Sequence, residues 1–323
     1  MKKIVSILLC ILLIGAALCA CGSQSEKKSD SKLSIVTTIF PLYDWAKNVA
    51  ASTDADVRML VDSGIDLHSF QPTVEDIGAI SDCDVFIYVG GESDEWVDDA
   101  LKQRANKDMI VIDLLDVLKD SIKEEEVVEG MEAEEEEEEG GEEEPEYDEH
   151  VWLSLKNAVT VCRFISDQLS KADPSNADTY QKNTETYTAE LNALDNEYKD
   201  TVNNAENKIL LFGDRFPFRY MVDDYGLSYY AAFVGCSAES EASFETIAFL
   251  SEKLNELGLK YILKLESSDG SVAEAIRNNS KDKDQEILTV DSLQSVTAED
   301  VADGDTYLKI MRSNLDTLKK VLA

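Results

Sequence analysis

The sequence predicts an α/β protein of two lobes, each built from βα units on a parallel sheet, joined by one long rigid helix. Three observations carry this expectation. Short runs rich in Val, Ile and Phe alternate with longer stretches of helical periodicity, the pattern of strands covered on both faces. The alternation occurs twice, over 33–174 and over 206–323. Between the two sets, residues 175–205 run without Gly or Pro. Ligands of open α/β sheets bind beyond the carboxyl ends of the strands, so the cleft between the lobes is the expected site.

The elements follow in order. In the first lobe, strands are predicted at 33–40, 56–62, 84–90 and within 108–115, from "LSIVTTIF", "DVRMLVD", "DVFIYVG" and "DMIVIDLL". Helices follow at 41–50, opened by Pro41, at 73–82, and at 93–103 with Ser93 as its cap. After an acidic interruption, 155–172 reads as a helix that stops at Asp173-Pro174. Ser175 and Asp178 stand three apart, like a capping box, at the head of the connecting helix, which would measure about 45 Å at 1.5 Å per residue. The second lobe repeats the pattern, with strands at 208–214, 227–235, 259–267 and 285–292 and a closing helix over 306–323.

The start of the chain predicts export. Lys2 and Lys3 precede an apolar stretch, Ile4 to Leu18, too short to span a membrane comfortably. "LCAC" (Leu18 to Cys21) resembles the bacterial lipobox, so residues 1–20 read as a lipoprotein signal peptide and Cys21 as the lipidated residue; an ordinary cleaved signal is the alternative. Residues 21–32 would be a tether, with anchoring by acyl chains on the extracytoplasmic face of the cell membrane.

Charge narrows the function classes. A formal net charge of −36 argues against nucleic acid, whose phosphates need a basic footprint, and against adhesion of the protein body to anionic lipid. Seventeen of the 26 residues from Glu124 to Glu149 are acidic, and the rest of the chain remains acidic without them. This run lacks apolar periodicity, so about 123–147 is expected to be disordered. Of six cysteines, Cys10 and Cys19 lie in the leader and Cys21 would carry lipid; Cys83, Cys162 and Cys236 form no CxxC pair. Cys83 and Cys162 sit among apolar residues and read as core cysteines.

The chain has two histidines. His68, in "DSGIDLHSFQPTVED", follows the second strand, and His150, in "EYDEHVWLS", stands at a helix entrance. A lone histidine is usually a satisfied surface or core residue. Two sole histidines at loop mouths facing one cleft point instead to metal ligation.

The segments "IVTTIFPLYDWAKNVA", "DLHSFQPTVEDIGAISDCDVFIYVG", "DEHVWLSLKNA" and "DDYGLSYYAAF", with the long helix, resemble the cluster A-I substrate-binding lipoproteins of bacterial zinc and manganese ABC transporters. The resemblance spans nearly all of the chain after the tether, in family order. It implies a non-enzymatic carrier that captures a divalent metal, zinc or alternatively manganese. The carrier would be monomeric and deliver to a permease and its ATPase. His68 and His150 match the first two histidine ligands. The usual third-ligand position falls on Arg215, which has no lone pair to donate. Asp214 is then the first substitute and Cys236 the second, with Glu239 and Glu241 near it; a buried thiol is the other reading of Cys236. For the fourth, acidic ligand the choice is between Asp269 and Glu266, with Asp269 preferred over its reading as a helix cap. Relatives with a long loop before this histidine often carry a His-rich one; here the loop is glutamate. The acidic run either concentrates cations through its field or is a solvated loop.

Two other classes compete. A metal-dependent surface hydrolase needs an open metal position and a general base, yet no HExxH or GxSxG occurs. An adhesin or calcium buffer built on the acidic run has no DxDxDG loop to support it.

Overall fold

The first strand, β1 (Ser34–Thr37), is buried along Ile35, Val36 and Thr37, as a strand covered on both faces must be. In a computed structural model, which describes residues 32–132, 146–237 and 241–323, β1 pairs in parallel with β2 (Asp56–Met59) and β3 (Val85–Tyr88). With β4 (Ile110–Asp113) the first sheet has the order β2-β1-β3-β4. The second sheet, also parallel, joins β5 (Ile209–Phe216), β6 (Ser228–Val234), β7 (Tyr261–Leu265) and β8 (Glu286–Val290) in the order β6-β5-β7-β8. The two-sheet α/β class predicted from the alternating pattern is the observed one.

The helices are α1 (Phe40–Val49), α2 (Val74–Asp82), α3 (Trp96–Lys102), α4 (Leu114–Val117), α5 (Leu155–Ala172) and α6 (Ala177–Asn203). In the second half follow α7 (Arg219–Tyr225), α8 (Phe244–Leu257), α9 (Ser271–Asn279), α10 (Ala298–Ala302) and α11 (Tyr307–Val321). Helix α6, about 40 Å long at 1.5 Å per residue, buries Tyr180, Tyr187, Leu191, Leu194, Tyr198 and Val202 at helical spacing. It packs along α5 and touches both α1 and α11. The closing helix α11 thus returns to the first lobe, where Tyr307 meets Trp45 edge-on at 5.3 Å. One apolar cluster continues from the first sheet through these helices to β5–β8. Buried aromatic heads are satisfied within it: Tyr198 donates to the Met311 carbonyl at 2.6 Å, Tyr307 to the Trp152 carbonyl at 2.7 Å, and Trp152 to the Ser292 carbonyl at 2.9 Å.

Several sequence expectations shift. Helix α1 starts at Phe40, with Pro41 in its first turn, so the strand before it ends earlier than 40. Strand β5 runs two residues past 214, across a register shift between Phe212 and Arg215, which brings Arg215 opposite Phe233. Ser93 does not cap α3; it lies in the 3₁₀ turn Glu92–Asp94 and its hydroxyl serves His68. The Ser175/Asp178 box does not form either. Asp173 takes that role, accepting from the Ser175 N–H at 3.2 Å and the Tyr180 hydroxyl at 3.0 Å.

The acidic run is ordered at both ends, against the expectation of disorder over about 123–147. Glu124 and Tyr147 form an antiparallel bridge, and Asp148 N–H donates to the Lys123 carbonyl at 2.9 Å. Glu132 pairs beside β6, its N–H donating to the Ala232 carbonyl at 2.9 Å, and Met131 is buried. Backbone pairing plus this apolar anchor offset the ordering cost that the acidic composition alone could not. Residues 133–145 lie outside the described residues, as do the leader, Cys21 and most of the tether. Among the described residues no helix is long and apolar enough to cross a membrane.

Candidate metal centre

The two histidines are presented by the same local device. In Asp66-Leu67-His68 and in Asp148-Glu149-His150 an aspartate stands two residues before the histidine. Each Asp Oδ1 accepts the histidine's backbone N–H, at 3.1 Å for His68 and 2.8 Å for His150. Such local turns fix the backbone at the head of a 3₁₀ turn, Leu67–Ser69 in one case and Val151–Leu153 in the other. This D-x-H repeat is visible in the sequence and was the signal available for the supporting aspartates.

Both rings are oriented through Nδ1. His150 is fully buried, its Nδ1 3.0 Å from Asp148 Oδ1 and its ring against Trp152. His68 Nδ1 lies 2.6 Å from the Ser93 hydroxyl and 3.8 Å from Glu149 Oε2. With Nδ1–H donating in both rings, the two Nε2 lone pairs face each other at 3.3 Å. Two bare lone pairs at that distance repel. Two nitrogens about 2.0–2.1 Å from one tetrahedral zinc ion, however, stand about 3.3–3.4 Å apart. Burial first, then His150 and the Arg215 cation, push the His68 imidazole down to about 3 against the opposing pull of Asp66. It is therefore neutral, as a ligand must be, at any physiological pH.

Cys236, in the turn after β6, completes a cluster in which one ligand atom each from His68, His150 and Cys236 lie within 4.8 Å of one another. The Gly235 hydrogen faces His150: a Cβ there would sit 3.0 Å from Cε1 and 3.2 Å from Nδ1, so glycine lets this turn close on the ring. Gly91, at φ +81°, similarly makes room for the Glu149 carboxylate, which a Cβ would meet at 2.3 Å. Glu149 accepts from the Ser93 N–H at 3.0 Å through Oε1, while its buried Oε2 has no hydrogen-bond partner among the described residues. Burial raises its carboxyl above the usual range. Glu125, from the ordered start of the acidic run, is raised to about 7 by burial and then by Asp148.

The remaining predicted site residues are placed differently. Asp66, His68, Glu149, Asp214, Arg215 and Cys236 all line one cavity of about 1240 Å³. Asp214 stands outside the three-residue cluster, its oxygens accepting from the Leu265 N–H at 3.0 Å and the Arg215 N–H at 2.9 Å. Asp269 is an exposed lining residue and accepts from the Ser271 N–H at 2.8 Å, just before α9, whose N-cap is Gly270. Glu266 lies off the cavity, bound to the Ser292 N–H and the Ser292 and Ser295 hydroxyls. Glu241 is an exposed lining residue, and Glu239 lies outside the described residues. Arg215 reaches across the cleft: Nη2 lies 2.7 Å from Asp66 Oδ2 and Nη1 donates to the Ser237 carbonyl at 3.2 Å. Burial opposes ionisation of Asp66, but Arg215 and His68 together outweigh it and hold the carboxyl below its ordinary value.

Comparison with known proteins agrees with this architecture. The chain is 31% identical over 295 residues to the zinc-binding protein AdcA of Streptococcus pyogenes, covering 90% of this chain and 56% of that protein's length. It is 33% identical over 319 residues to the high-affinity zinc uptake system protein ZnuA of Bacillus subtilis, covering 97% and 95% of the two chains. The crystal structure of the Zn(II)-bound ZnuA-like domain of Streptococcus pneumoniae AdcA superposes with a TM-score of 0.71 at 28% identity, covering 90% of this chain and 99% of that one. The family model described as zinc-uptake complex component A, periplasmic, matches residues 35–321, and the chain belongs to that family of solute-binding transport components.

Proposed function

We propose that this chain captures zinc outside the cytoplasm, as a carrier and not an enzyme, and delivers it to an ABC permease powered by a partner ATPase. Its leader reads as a lipoprotein signal, so Cys21 would hold the carrier at the membrane surface through acyl chains. The 3.3 Å approach of the two Nε2 atoms carries the reading, because it is the separation that one tetrahedral ion imposes on two imidazoles. The two rings, His150 oriented from behind by Asp148 and His68 by Ser93, leave those lone pairs for the cargo. Family membership and relatives named for zinc support the same choice. Manganese, the alternative cargo, wants more oxygen ligands. Asp214 and Asp269 lie outside the three-residue cluster, and each already accepts a backbone N–H.

The test is a competition titration of the metal-stripped protein with zinc and with manganese, beside His68→Ala/His150→Ala. Tight one-to-one zinc binding lost in the double variant is the expected result. A preference for manganese, or zinc binding that survives the double substitution, would overturn the assignment.

A further inference from the structure

We infer that Cys236 is the third protein ligand, so that the cargo sits in a His2Cys thiolate site with one position left for an exogenous donor. This rests on the proposed metal-carrier reading and adds a donor to it. The first argument is proximity: the Cys236 sulfur lies within 4.8 Å of a ring nitrogen of each histidine, and the two Nε2 atoms stand 3.3 Å apart. A tetrahedral zinc ion with Zn–N about 2.05 Å and Zn–S about 2.3 Å holds nitrogen and sulfur about 3.6 Å apart. Only a short closure of the turn separates the two geometries.

The second argument is that Arg215 does two things at once. It occupies the place of the expected third ligand without being able to ligate, since a guanidinium has no acceptor. Its Nη1 also fixes the Ser237 carbonyl, one residue beyond Cys236, while Nη2 is held by Asp66 from the first lobe. The residue that removes the usual ligand therefore positions the turn that carries its replacement. Gly235 contributes by letting that turn lie against His150.

Charge gives the third argument. Two imidazole ligands add no charge, so a divalent ion keeps its full +2 in a partly buried site where Arg215 and Asp66 are paired with each other. A metal-bound thiol loses its proton outright. On binding, the Cys236 S–H bond breaks, the proton leaves to solvent, and the sulfur lone pair forms the metal bond. The bound ion and its ligands then carry +1, which lowers the cost of holding the charge away from water. A thiolate also favours zinc over manganese, because soft sulfur suits the former.

Cobalt(II) reports the ligand set directly. The metal-stripped protein titrated with cobalt should show a near-ultraviolet thiolate-to-cobalt charge-transfer band that saturates at one equivalent and is displaced by zinc. In Cys236→Ser the band should vanish and zinc affinity should fall about ten-fold or more, with manganese affinity changed far less. Wild-type protein that binds cobalt at His68 and His150 without the band would overturn the cysteine assignment and leave the carrier reading standing. Persistence of the band in Cys236→Ser would do the same. Failure of the wild-type protein to bind either metal would sink both readings. The wild-type spectrum is informative even if the variant folds poorly.

Discussion

Replacing Asp148 by Ala removes the acceptor that holds His150 in position. One carboxylate oxygen, Oδ1, takes both the His150 backbone N–H at 2.8 Å and Nδ1–H at 3.0 Å, in a place where Asp148 is 2% and His150 0% exposed. Two consequences follow from one deletion. Without metal, two buried donors lose their partner, at about 1–3 kcal/mol each. With metal, the imidazole is no longer bound to the tautomer that offers Nε2, and loss of such an outer partner typically costs about 10- to 100-fold in affinity, or about 1.4–2.7 kcal/mol. Asp148→Asn keeps an acceptor oxygen but removes the charge, so its loss should fall near the lower end of that range. Chelator-competition titration with zinc at fixed pH measures the affinity, and thermal melts of the metal-free protein measure the stability term separately. A natively folded Asp148→Ala protein that binds zinc within about two-fold of wild type would refute the orientation argument.

Two further predictions use parts of the molecule outside the centre. Asp44 in α1 accepts from the Tyr187 hydroxyl at 2.8 Å and from Asn48, but burial dominates and lifts it to about 6 from 3.8. A folded value above the unfolded one means that the native state binds more protons between about pH 4 and 6. This stabilising contribution is therefore present at acid pH and lost as pH rises through that window, by about 3 kcal/mol. Asp44→Asn should flatten that part of the stability–pH curve in urea melts; an unchanged slope would reject it. Neutralising the six glutamates Glu134 to Glu139 as glutamine should slow zinc association several-fold at low salt and about equally little at physiological salt, where a Debye length of about 8 Å screens the field. Stopped-flow rates that do not differ at low salt would leave the acidic run a solvated loop.

The sequence by itself determined much that depends on local pattern. The apolar runs marked the strands of both sheets, most plainly the inner ones, because parallel strands buried on two faces can hold little else, as in "SIVT" and "YILKL". The two histidines were legible because they are the sole histidines and each ends a loop. Their D-x-H turns are equally local and lie equally open in the sequence. Other features needed the tertiary structure, for one physical reason: they are made by residues far apart in the chain. Ser93 looks like a cap in its own segment and became a partner of His68 only when β3 and the His68 loop met. Asp214 reads as a ligand beside Arg215; only the fold shows that its oxygens accept the backbone N–H groups of Arg215 and, from β7, Leu265. The acidic run looked unable to fold, and its composition could not reveal that β6 offered Glu132 a backbone partner. Cys236 could be named from sequence only as one of several substitutes; its place beside two imidazoles depends on the turn that Arg215 fixes from one side and Gly235 admits on the other.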